Sequence, residues 1–155
     1  MRLNQFCVIL AGWTLLRLKA PATTYYVNQN SATPAPPYTN WSIAATNIQV
    51  AINAATNGDL VLVTNGVYSG GGLSADGVIT NSVTINKALV VQSVNGPGFT
   101  AIQGAWDPVS TNGPKAVRCA WVTNGATLSG FTLQGGATRE SGTGSYSSEY
   151  GGGVL

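Results

Sequence analysis

The chain has 155 residues, of which 44% are hydrophobic, so one domain with a sizeable core is expected. Only 8% are charged, against roughly 25% in ordinary globular proteins. This argues against long solvent-facing helices, and recurrent apolar runs argue against disorder. The formal charge of +2 comes from the extreme N-terminus; from Thr23 onward four bases face five acids, a net −1, which leaves no basic stripe for nucleic acid.

The chain opens MRLNQFCVILAGWTLLRLKAPA, with one cationic side chain ahead of an apolar stretch from Phe6 to Leu16. Eleven residues fall short of the about 20 that span a bilayer, but they fit the core of a secretory signal. Ala20-Pro21-Ala22 resembles a cleavage site. Residues 1–22 therefore read as a signal peptide, the mature chain as secreted or on the cell surface, and no membrane span is expected. Arg17 and Lys19 depart from the usual pattern, and Trp13 stands where a lipidated cysteine would be. Loss of Cys7 with the signal leaves Cys119 alone, so no intrachain disulfide is expected. With no histidine in the chain, Cys119 reads as a small buried strand residue rather than a nucleophile.

Residues 23–45 read as a short strand, TTYYV, and a polar connector in which Pro34, Pro36 and Pro37 exclude helix and interior strand. Residues 46–58 hold a helix, about Asn47 to Thr56. Thr46 and Gln49 have capping-box spacing, and Ile48, Ala51, Ile52 and Ala55 form one apolar stripe. Asn57-Gly58 is the expected stop.

From Asp59 to Leu155 the pattern changes to short apolar runs: LVLVT, VTI, LVVQS, FTAIQG, AVRCAWV, ATLSGFTL and a final VL. Asn-Gly occurs five times between or beside them. Such pairs ordinarily mark hairpins. After Asn65-Gly66, however, only Val67-Tyr68 follows before three glycines, so the second arm is missing. Asn and Gly also enter the left-handed region cheaply and can turn a strand through a corner. A hairpin stays open at Asn124-Gly125, where the second run is longer. The spacings Leu62–Val90, Val91–Trp121 and Val122–Val154 are 28, 30 and 32 residues, the size of a solenoid repeat. Trp106 to Lys115 and Ala137 to Tyr150 would protrude as loops. The fold expected is an all-β solenoid, a right-handed parallel β-helix. An amphipathic helix caps its first coil, and it is truncated after about three to four coils.

The phrases ATNIQVAINAATNGDLVLVTNGVYSGGG, ITNSVTINKALVVQSVNGPGFTAIQG and AVRCAWVTNGATLSGFTLQGGATR, with GGGVL, resemble the pectin-lyase-like right-handed β-helix superfamily. The likeness is greatest to secreted bacterial surface proteins with β-helix repeats and runs from about Tyr25 onward. The same opening occurs in polysaccharide lyases resembling alginate lyase and chondroitinase B. Val50 stands where such proteins often have an acidic residue, and GGGVL begins a coil that the family continues. The resemblance implies the N-terminal part of a longer protein, or a truncated product.

Chemistry on uronic sugars needs a base and a means of neutralising the substrate carboxylate, often Ca²⁺ on several carboxylates. The five acids from Thr23 onward form no paired set, and Asp59 and Asp107 read as turn residues. Glu140 and Glu149 share a loop without a fixed separation, whereas glycoside hydrolysis requires one. No catalytic residue, metal site or cofactor is assigned, and Ca²⁺ is expected only in a longer, enzyme-like form. Trp106, Arg139, Tyr146 and Tyr150 are the candidate carbohydrate-binding residues: aromatic faces beside a cation can stack on sugar rings. The competing expectation is that they shield the solenoid wall. The leading reading is an exported scaffold or surface module contacting polysaccharide or a surface glycan, without catalysis in this segment. The alternative is the N-terminal part of a polysaccharide lyase or glycoside hydrolase whose active site lies on further coils. Self-association through an open C-terminal coil is also expected.

Overall fold

The computed structural model describes residues 21–74 and 80–139. The chain is mostly β with little helix: β1 (Thr24–Val27), α1 (Ile48–Ala54), β2 (Leu60–Val63), β3 (Gly66–Ser69), β4 (Leu73–Ser74), β5 (Thr80–Ile85), β6 (Val90–Ser93), β7 (Thr100–Gln103), β8 (Val117–Val122), β9 (Thr127–Ser129) and β10 (Thr132–Gln134). These form three sheets, ordered β1-β2-β6-β9, β3-β7-β10 and β4-β5-β8, and they do not close into a barrel. Every ladder between named strands is parallel except that of the short β4 with β5. Strands β2, β3 and β5 enter three different sheets. Then β6, β7 and β8 visit the same three and pair alongside them.

The expected register needs correction. Leu62 pairs with Gln92 rather than Val90. A slip of two keeps the same side chains facing inward. The second spacing fails outright: Val91 pairs with Leu128, whereas Trp121 lies in another sheet beside Thr84. The cause is uneven insertion. Between β2 and β3 lie only Thr64 and Asn65, whereas β6 and β7 are separated by Val94 to Phe99, and β7 and β8 by Gly104 to Ala116. Val154 lies outside the described residues.

Four Asn-Gly pairs turn the chain between elements that are not hydrogen-bonded neighbours. Gly58, Gly66, Gly96 and Gly125 all have positive φ, as the corner geometry requires. Asn65-Gly66 leads from β2 to β3 and Asn124-Gly125 from β8 to β9, each pair lying in different sheets, so the hairpin left open at Asn124 does not form. Asn112-Gly113 alone lies in a reversing segment, whose ends are joined by antiparallel bridges Ala105–Val117 and Asp107–Thr111.

Alternation along the strands builds the core. Val61 and Val63 on β2 are fully buried, and Val61 stacks in register on Val91. Ile102 on β7 is buried between its register partners Tyr68 and Leu133, and Val83 and Ile85 fill in from the third sheet. Each such aliphatic side chain contributes about 1.5–3 kcal/mol by leaving water.

The helix differs from expectation. It covers Ile48–Ala54 and stops before Asn57-Gly58, with Ala55 as C-cap. All four stripe residues are buried, but so is Gln49, while Val50 is 41% exposed. Polarity is thus not segregated by face, and the helix is not amphipathic. The capping box is absent too. Asn47 is the N-cap, its Oδ1 accepting from the Gln49 amide at 2.7 Å. Gln49 instead turns to β5: its Oε1 accepts from Thr84 N at 2.8 Å and its Nε2 donates to Thr84 O at 3.0 Å. The side-chain amide thus takes the place of a neighbouring strand's peptide on an edge that β4 covers only at Thr80 and Asn81. The connector does the same for β1. Tyr26 N donates to Tyr38 O, and Ala45 N to Tyr26 O.

Candidate functional site

The outer surface of the β3-β7-β10 sheet brings exposed apolar side chains, Val67, Phe99 and Trp106, together with two side-chain amides, Gln103 and Gln134. Along β7 the alternation buries Thr100 and Ile102 and turns Ala101 and Gln103 outward. Register then sets Val67, Ala101 and Thr132 in one row and Ser69, Gln103 and Gln134 in the next. Gln134 Nε2 lies 3.4 Å from Gln103 Oε1, a long contact that leaves both amides most of their hydrogen-bonding capacity. Phe99, 64% exposed, stands just before β7, and Trp106, equally exposed, just after it.

Two shallow depressions flank this strand. One, of about 420 Å³, is lined by Gln103, Gly104, Ala105, Trp106 and Gly135. The other, of about 400 Å³, is lined by Val67, Pro97, Phe99, Ala101, Thr132 and Gln134 among others. Gly104, in the lining of the first, sits where neighbouring backbones meet. A Cβ there would sit 2.3 Å from Val117 O and 2.6 Å from Gly136 Cα, so only glycine lets these backbones approach.

Asp107 anchors the segment that carries Trp106. Its Oδ1 accepts from Val109 N and its Oδ2 from Lys115 N, both at 2.9 Å. These two amides hold its carboxyl below the ordinary carboxylate pKa. Asp107 is thus the turn residue its Asp-Pro sequence suggests.

Of the four candidate binding residues, Trp106 lies in a depression on this face. Arg139 is half-buried and is not among the residues lining either depression. Tyr146 and Tyr150 lie outside the described residues, so the expected cluster is represented here by Trp106 alone. Phe99, Gln103 and Val67 were not singled out from the sequence. The signal was available, because strict alternation in FTAIQG sends Phe99, Ala101 and Gln103 to one side.

The remaining ionisable groups serve the frame. Asp59 is 4% exposed and joins three elements: Oδ1 accepts from Thr23 N at 2.8 Å, and Oδ2 from Thr56 N and Thr56 Oγ1. Burial alone would raise its pKa; the Thr23 and Thr56 hydrogen bonds and the Lys87 charge outweigh burial and hold it below the usual value. Lys87 donates to Ile52 O, Asn53 O and Ala55 O at the end of α1. Arg118 is fully buried beside its register partner Asn81, out of reach of a polymer in solvent. Burial pushes the Cys119 thiol pKa up, and Sγ lies 3.3 Å from Gln134 O, which fits a buried strand residue. Among the described residues no three His, Cys, Asp or Glu side chains converge, and no helix is long and apolar enough to cross a membrane.

Comparison with protein-family models, curated proteins and solved structures finds no match to this chain.

Proposed function

We propose that this chain is the capped beginning of a right-handed parallel β-helix of the pectin-lyase-like kind, exported as a rigid surface scaffold that contacts carbohydrate, without catalysis in this segment. The observation that carries the reading is the ladder pattern. The path enters three sheets in turn and comes back parallel to its own earlier strands, so each sheet sets parallel strands side by side in register. Such a surface suits an extended polymer better than a small molecule. Trp106 beside the Gln103 amide supplies the aromatic and hydrogen-bonding groups that sugar rings use.

Two assays on the full chain test it. Pull-down with a panel of neutral and acidic polysaccharides is expected to retain the protein on at least one of them. Incubation with alginate, pectate and chondroitin, followed by absorbance of the unsaturated product, is expected to show no turnover. Turnover would replace the scaffold with a lyase; retention on nothing would remove the carbohydrate contact.

A further inference from the structure

Given carbohydrate contact, the chemistry of the β3-β7-β10 face narrows the ligand. We infer that this face is a binding strip for a neutral, extended glycan, running from Phe99 to Trp106 over the Gln103 and Gln134 amides. The two depressions follow one strand, and their aromatic ends are seven residues apart, at most about 23 Å at the rise of a β-strand. That length accommodates several sugar rings in a row. Two flat apolar faces at the ends offer stacking to the C–H faces of rings, and the amides between them offer both donors and acceptors to hydroxyl groups.

Charge separates the glycan classes. Among the described residues, none that lines either depression is ionisable. A polyuronate brings a carboxylate on every ring, and docking it here would strip water from each without supplying a cation. A neutral polymer incurs no such cost. The strip therefore discriminates against the acidic glycans that the sequence resemblance brings forward.

Isothermal titration of the full chain with a neutral β-linked hexasaccharide (cellohexaose, xylohexaose and mannohexaose in turn) and with an alginate hexamer tests the inference. At least one neutral ligand is expected to bind, and alginate not. Phe99→Ala and Trp106→Ala should each weaken binding about fivefold to tenfold, while Val109→Ser, at a 92% exposed position in the Trp106 segment, should leave it unchanged. Both aromatic side chains are largely exposed, so unchanged thermal midpoints are expected, and Gln103→Ala gives a third, independent variant. Binding of alginate alone, or neutral binding indifferent to all three variants, overturns the strip but leaves carbohydrate contact standing elsewhere. Silence from every glycan overturns both. Concentration-dependent dimerisation lost in Phe99→Ala, by sedimentation velocity, would assign the face to a second copy of the chain and overturn the glycan strip.

Discussion

Lys87 donates three hydrogen bonds to carbonyls that the end of α1 leaves without helical partners. A cation at a helix C-terminus also meets the negative end of the macrodipole. Lys87→Met keeps the aliphatic stem and removes both effects. The expected loss is about 2 kcal/mol, read as a lower urea midpoint at constant slope. Asp59, on the far side of the same turn, sets an acid limit. Its folded pKa lies below the unfolded value of about 3.9, so its contribution is complete above that pH and vanishes as pH falls through the folded value. Asp107 acts with the same sign. Urea midpoints followed downward from neutral pH should decline below about pH 4, and Asp59→Asn should flatten that decline while lowering the neutral value. Glycines divide by what surrounds them. Gly104→Ala drives a methyl into backbone atoms at 2.3 and 2.6 Å and is expected to cost more than about 3 kcal/mol. Gly70→Ala meets nothing within 4 Å and bears only the positive φ of 83°, a cost of about 1–2 kcal/mol.

Gln49 shows how an element's role depends on a partner far along the sequence. Its position three residues after Thr46 suggested a local cap, yet its amide serves Thr84, 35 residues away, through two hydrogen bonds. Nothing local distinguishes these outcomes; the decision falls to an unpaired strand edge that exists only once the sheets form. Gln49→Leu leaves the Thr84 N–H and C=O without these bonds in a buried setting and should cost about 2–4 kcal/mol. Gln49→Glu retains only an acceptor and should recover part of that loss, which denaturant titration of both variants would show. Many of the strands are legible, but β3 (Gly66–Ser69) is not, because its two apolar residues stand between Asn65-Gly66 and three glycines. TTYYV, LVLVT, LVVQS and FTAIQG each hold a strand within one or two residues of their bounds, because short apolar runs between turn residues leave little choice. The break in ATLSGFTL into β9 and β10 falls at Gly130, whose φ is 79°. Sheet membership was much less legible. A repeat of 28 to 32 residues is the only guide, and the uneven connections shift it by two at the first pairing and defeat it at the second. Of the binding face, Trp106 could be found from its place in a polar insertion. Alternation in FTAIQG puts Phe99 and Gln103 on one side, but which side faces out is settled only by the packing of β7.

Shared parallel ladders make the strands mutually dependent. Strands β2, β6 and β7 each have partners on both sides, and the core rows run across neighbouring strands, as with Tyr68, Ile102 and Leu133. A cavity in the middle row therefore weakens the contacts of two neighbours at once. Ile102→Ala, at a fully buried position, should cost about 2–5 kcal/mol, whereas Leu133→Ala, at a partly buried position in the same row, should cost less. Hydrogen exchange separates a stack from a set of independent loops. In a nearest-neighbour stack, a defect in one repeat lowers the protection of adjoining repeats as well. Amides of β2, β6 and β7 should be the slowest in the parent chain. In Ile102→Ala, protection should fall together in β3 and β10, which flank the substituted strand, as well as in β7. Loss confined to β7 would mean that each strand is held independently of its neighbours, which would argue against the rigid scaffold proposed above.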